Sequence, residues 1–246
     1  MSQGALPGTR IRRQPAGRRI ALALATLLPA LACTAQGLHE RRGHLCVVRV
    51  STVFRPTLAN GLAATCDEVA ARVAGALGLP AVTGIEVELL NFSPIVPGPG
   101  VEAYATSPSG RIILGAPTIF AGRGKATIAH EMCHVLCYRH RIELPFLLEE
   151  ALAHLSEVPY GGEKELATGQ EATESDEDDL AWLEIESVAE IAALPRDTAS
   201  LYLQRAIRAA KRLGVQRAVA LGGLRGTEWR DVLTLPTESE SRLEPR

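Results

Sequence analysis

Between Thr127 and Leu136 the chain reads Thr-Ile-Ala-His-Glu-Met-Cys-His-Val-Leu, and apart from its two histidines the only ionisable acid or base in it is Glu131. His130 and His134 stand four residues apart, so on an α-helix they share one face. A helix with one side in water would carry lysine or glutamate along that side. Apart from Glu131 this one carries none, so the rest of the chain has to surround it.

The flanks supply the elements to do so. Residues 45–53 are β-branched and predict a strand. Residues 62–79 are alanine-rich with apolar positions at helical spacing, and Gly78 and Pro80 mark where that helix stops. Residues 84–90 alternate and predict a second strand, and the Pro/Gly-rich 94–100 a loop. Residues 102–105 and 111–114, on either side of Ser107-Pro-Ser-Gly110, predict a hairpin. From Thr127 onward the pattern is almost wholly helical, broken by an acidic stretch at 161–179. The expected fold class is α+β. A small mixed sheet with helices occupies 33–116, two helices bearing the histidine motif and an acidic loop fill 117–195, and a helical subdomain runs over 196–246. There is no internal repeat.

The first 32 residues read as an address. Arg10, Arg12, Arg13, Arg18 and Arg19 precede an apolar run at 20–32 that closes on Ala30-Leu31-Ala32-Cys33. A basic region, an apolar core and small residues at a cleavage point describe a secretory signal. The run is too short to span a bilayer, which takes roughly 20 apolar residues. The segment resembles a bacterial lipoprotein signal, which implies a lipid on Cys33; simple secretion is the other reading. The expected location is extracytoplasmic: secreted, periplasmic or lipid-anchored, with membrane contact only through Cys33. Losing these residues removes five positive charges and no negative one, which takes the net charge from −2 to −7. A body that acidic excludes nucleic acid as a partner, because such binding rests on neutralising phosphates. Beyond Cys33, four cysteines allow three pairings. A Cys46–Cys66 bridge would staple the first strand to the first helix. Cys133 and Cys137, one helical turn apart, either pair in an oxidising compartment or serve as small buried hydrophobes.

The histidine motif carries the chemistry. Two imidazoles at i and i+4 can reach one ion, and a glutamate beside that face can take a proton from water that the ion acidifies. With these residues the chain resembles the zincin metallopeptidases, which leaves the third ligand to find. His140 continues the motif as His130-Glu-x-x-His134-x-x-Cys137-x-x-His140, similar to the metzincins. That pattern has glycine where Cys137 stands and a methionine turn, whereas the methionines here are Met1 and Met132. Alternatively, Pro145-Phe-Leu-Leu-Glu149-Glu150-Ala-Leu-Ala153 resembles the Pro-x-Trp-Leu-x-Glu-Gly-Leu-Ala segment of gluzincin-type peptidases, which implies Glu150. Leu147, Leu148, Ala151, Leu152 and Leu155 form an apolar face with Glu150 at its edge. Glu149, about 100° further round, is expected in solvent. His154 shares the face of Glu150 at a position where gluzincins carry an acid that orients the first histidine. Glu149 and His154 remain alternatives as ligands.

The gluzincin resemblance implies one Zn²⁺ per chain held by His130, His134 and Glu150, with Glu131 as general base and a peptide or protein as substrate. It also implies that the strand at 111–115 is a sheet edge that receives an extended chain, an ordinary buried strand being the other reading, and that Tyr202 or Tyr160 steadies an oxyanion, a core aromatic being the alternative. The run 163–179 holds eight carboxylates against Lys164. It reads as a solvated loop, or as a lid favouring basic substrates. A different class of function is a catalytically silent zinc-containing lipoprotein or scaffold that binds a partner, in one form through its acidic face. Against a purely structural zinc site stands Glu131, since such a site has no use for a general base.

Overall fold

Val48, Val87 and Ile112 stand abreast on three neighbouring parallel strands, and all three are buried. Val50, Leu89 and Leu114 repeat the pattern two residues further on. Between these rows the opposite face carries charge: Arg49 pairs with Glu86 and Glu40, and Arg111 with Glu88. Alternation of this kind, apolar inward and charged outward, means that among the described residues only one face of the sheet is covered. The computed structural model describes residues 37–91, 103–106, 110–162 and 180–234. The expected signal at 1–32, the loop at 94–100 and the acidic run at 163–179 lie outside them.

The sheet has five strands: β1 (Leu38–Arg42), β2 (Cys46–Ser51), β3 (Ile85–Leu90), β4 (Ala103–Thr106) and β5 (Arg111–Gly115). Their spatial order is β1-β2-β3-β5-β4, with β2, β3 and β5 parallel and an antiparallel strand at each edge. The expected hairpin is the β4–β5 pair. Of the two readings of 111–115, the sheet edge is overturned and the inner strand holds: β5 lies between β3 and β4, and among the described residues the edge is β4.

Helix α1 (Pro56–Leu77) crosses between β2 and β3 and buries Leu62, Cys66, Val69, Val73 and Leu77. It starts six residues before the expected 62, because Pro56 sits in the first helical turn, where its missing N–H goes unneeded. Gly78 ends it at φ +70, as the sequence led one to expect. A disulfide joins Cys46 of β2 to Cys66 of α1, Cα atoms 6.2 Å apart. One residue on, the Asp67 carboxylate accepts the backbone N–H groups of His44, Leu45 and Cys46 at 2.6, 2.9 and 3.0 Å. It thereby pins the β1–β2 turn. Gly43 makes room for it, since a side chain there would collide with that carboxylate.

After the short α2 (Ala116–Phe120) comes α3 (Gly124–Arg139), the helix of the histidine motif. Ala126, Ile128, Ala129, Met132, Cys133, Val135, Leu136 and Cys137 are all buried, which on a helix covers most of the circumference. The sheet and α1 cover one side and α4 (Phe146–Glu157) the other. A 3-10 turn at Val158–Tyr160 follows α4, and another at Ala181–Glu184 precedes α5 (Val188–Ala193). Then come α6 (Arg196–Leu213), which packs on α4, and α7 (Val215–Ala220) and α8 (Gly226–Thr234). The three expected segments contribute to one hydrophobic cluster that runs from Cys46 to Leu233. Among the described residues no helix is long and apolar enough to cross a membrane.

Candidate metal centre

His130 and His134 lie one turn apart on α3, ring centroids 5.1 Å from each other. Glu150, from the first half of α4, brings its carboxylate between them. One oxygen is 3.6 Å from His130 Nε2 and the other 3.5 Å from His134 Nε2. A tetrahedral ion with bonds of 2.0–2.2 Å to nitrogen and oxygen would hold its donors about 3.3–3.6 Å apart. Both histidine–carboxylate distances stand at that spacing, and the three donors lie within 4.8 Å of one another.

The imidazoles are held from behind. His130 Nδ1 donates to Glu157 Oε1 at 2.6 Å, and His134 Nδ1 donates to Glu149 Oε1 at 2.7 Å. Each hydrogen bond fixes the tautomer in which Nε2 faces the shared point, as carboxylate-backed ligand histidines do in metal sites. Glu149 therefore contradicts the expectation that it lies in solvent: it is half-buried against α3.

The charges point the same way. Burial disfavours a charged imidazole at His130, yet the carboxylates of Glu150, Glu157 and Glu131 outweigh it and push the group up to about 10. His134 is also raised, burial opposing and Glu149 and Glu150 favouring. Burial would raise Glu157 and Glu150, but the neighbouring histidines hold Glu157 down at about 2 and Glu150 below its ordinary value. The point between the two Nε2 atoms and Glu150 is thus one where positive charge is favoured. Donor type, spacing and charge all fit a divalent ion.

A second cluster of His130, His154 and Glu157 is also close enough together to be considered for an ion. Its distances speak against one. Glu157 Oε1 lies 2.6 Å from His130 Nδ1 and 3.0 Å from His154 Nδ1, hydrogen-bond lengths that are too short for the edges of a tetrahedral site.

His140, the metzincin-type alternative, lies elsewhere. The helix does not turn at Cys137, which is helical and buried, but runs on to Arg139. The chain reverses only at Arg141, in the left-handed region at φ +56. His140 is thereby carried past the cluster and bonds the Pro80 carbonyl at 3.0 Å. Cys133 and Cys137 are free and buried, the alternative to pairing. A hydrogen bond with Cys137, together with burial, pushes the Cys133 thiol well up, so it offers no thiolate.

Glu131 is buried at 8% exposure, next to His130, and its charge is among those that raise that histidine. Of the two tyrosines, Tyr160 lies under the Arg72 guanidinium of α1, 5.4 Å from centroid to carbon, and Tyr202 packs against the core from α6. Sequence reasoning missed Glu157. The signal was available, because Glu150, His154 and Glu157 follow the i, i+4, i+7 spacing of one helix face. No known protein family, curated protein or solved structure matches this chain.

Proposed function

We propose that the protein is an extracytoplasmic zinc-dependent peptidase of gluzincin type, with His130, His134 and Glu150 holding the ion. The observation that carries this reading is the pairing of a three-donor site with the buried carboxylate of Glu131, one residue from a ligand. When bound, the ion supplies Lewis acidity that polarises a peptide carbonyl and acidifies water. Glu131 receives a proton from the attacking water and delivers it to the departing amine nitrogen. Glu149 and Glu157 keep the two imidazoles in register throughout, so the ligands need no reorganisation during the reaction. An extended substrate would add as a strand at β4, which lies alongside α3 and is the sheet edge on that side.

The test is hydrolysis of a peptide library by wild type and Glu131→Ala, with metal content measured on both. The expected result is cleavage by wild type and a loss of at least roughly 100-fold in the variant, in line with the removal of a general base. Zinc content should be unchanged. Full activity in Glu131→Ala would refute the mechanism, and bound zinc with no cleavage by wild type would favour the scaffold reading.

A further inference from the structure

One carboxylate oxygen serves two histidines. Glu157 Oε1 lies 2.6 Å from Nδ1 of His130 and 3.0 Å from Nδ1 of His154, and the two rings meet edge to face with centroids 4.8 Å apart. His154 is not placed to be a ligand: its Nδ1 stands at ion-pair distance, 3.0 Å, from Glu157 Oε1, closer than the edge of a tetrahedral site. It does, however, stand in a position to decide where Glu157 points. Glu157 is the last residue of α4, where the helix passes into a 3-10 turn, and its side chain has three rotatable bonds to fix. On its far side the backbone of Gly162 closes in, and a Cβ there would come within 2.7 Å of Glu157 Oε2. That glycine and the His154 ring both crowd the Glu157 carboxylate, whose Oε1 accepts from His130.

We infer that His154 is a positioning residue for the metal centre: it acts through Glu157, whose doubly engaged oxygen locks His130 with Nε2 toward the ion. This rests on the reading of His130, His134 and Glu150 as an ion site, and it adds a third imidazole that touches neither ion nor substrate. His154 and Glu157 come from the same helix as the ligand Glu150. The lock on the α3 ligand is therefore built entirely from α4, and seating α4 against α3 assembles ligand and lock together.

The experiment compares wild type, His154→Leu and His154→Asn. Leucine removes the donor, whereas asparagine keeps an N–H near the place of Nδ1. Zinc affinity is read by competition with a chromophoric chelator, and geometry by the visible absorption of the cobalt(II)-substituted protein. The inference expects roughly 10-fold weaker zinc binding in His154→Leu, the lower end of the range for groups behind a ligand. It also expects a changed cobalt band, with both effects largely reversed in His154→Asn. If the leucine variant does not fold, His154→Gln takes its place, since its amide reaches toward the position of Nε2 rather than Nδ1. Wild-type affinity and spectrum in the donor-lacking variant would overturn the inference and leave the ion site standing. So would equal losses with leucine and asparagine, which would mark a packing role. Wild type that takes up neither zinc nor cobalt would overturn the ion site itself.

Discussion

The Glu149 carboxylate meets His134 Nδ1 at 2.7 Å, while its chain neighbour Glu150 faces Nε2 of the same ring at 3.5 Å. Two consecutive glutamates thus meet opposite sides of one imidazole, the first placed to orient it and the second placed to share the proposed ion. Glu149→Ala should therefore weaken zinc binding by roughly 10–100-fold without abolishing it, the usual cost of losing a partner behind a ligand. Chelator competition measures this, and unchanged affinity would show that the contact does no orienting.

Arg141 occupies the left-handed region at φ +56, with its N–H bonded to the Tyr138 carbonyl. A side chain in that conformation costs about 1–2 kcal/mol. Glycine removes the cost but gains freedom in the unfolded chain worth about 0.5–1 kcal/mol. Arg141→Gly should accordingly stabilise the protein by about 0.5–1 kcal/mol, seen as a small rise in Tm. A fall would mean that the exposed arginine makes contacts that outweigh its backbone strain.

The Cys46–Cys66 bridge closes a loop with a sequence separation of 20. In the chain-entropy account such a loop contributes about 3 kcal/mol. For a domain of this size that corresponds to roughly 6–12 °C in Tm. Thermal unfolding of Cys46→Ser/Cys66→Ser against wild type gives the value. A Tm that does not fall would show that the bridge adds nothing that Asp67, pinning the same turn, does not already supply.

Much of this architecture is legible in the sequence, and the misses have physical causes. The strands around Val48, Val87 and Ile112 are legible because a one-sided sheet imposes alternation. Strand β1 is not: Leu-His-Glu-Arg-Arg is mostly exposed at a sheet edge and has no apolar face to display. The edge reading of 111–115 comes from the resemblance alone, because periodicity finds strands but not their neighbours; strand order is a tertiary property. At the candidate metal centre, His130, His134 and Glu150 stand together, whereas Glu149 does not stay in solvent. A turn of 100° between consecutive residues seemed to send it there, yet α3 packs closely enough on α4 for both glutamates to reach its histidines. Glu157 is harder to read from the sequence because it closes α4, one turn beyond His154 on the same face, where the helix passes into a 3-10 turn.

On the proposed reading α4, through Glu150, completes an ion site begun on α3. Zinc per chain, measured by elemental analysis on protein purified without added metal, tests it most directly when wild type is run beside Glu150→Ala and His140→Ala. The account predicts close to one zinc in wild type and in His140→Ala, and a large loss in Glu150→Ala. Zinc that survives Glu150→Ala but falls with His140→Ala would contradict it, as would folded wild type that neither carries zinc nor takes it up.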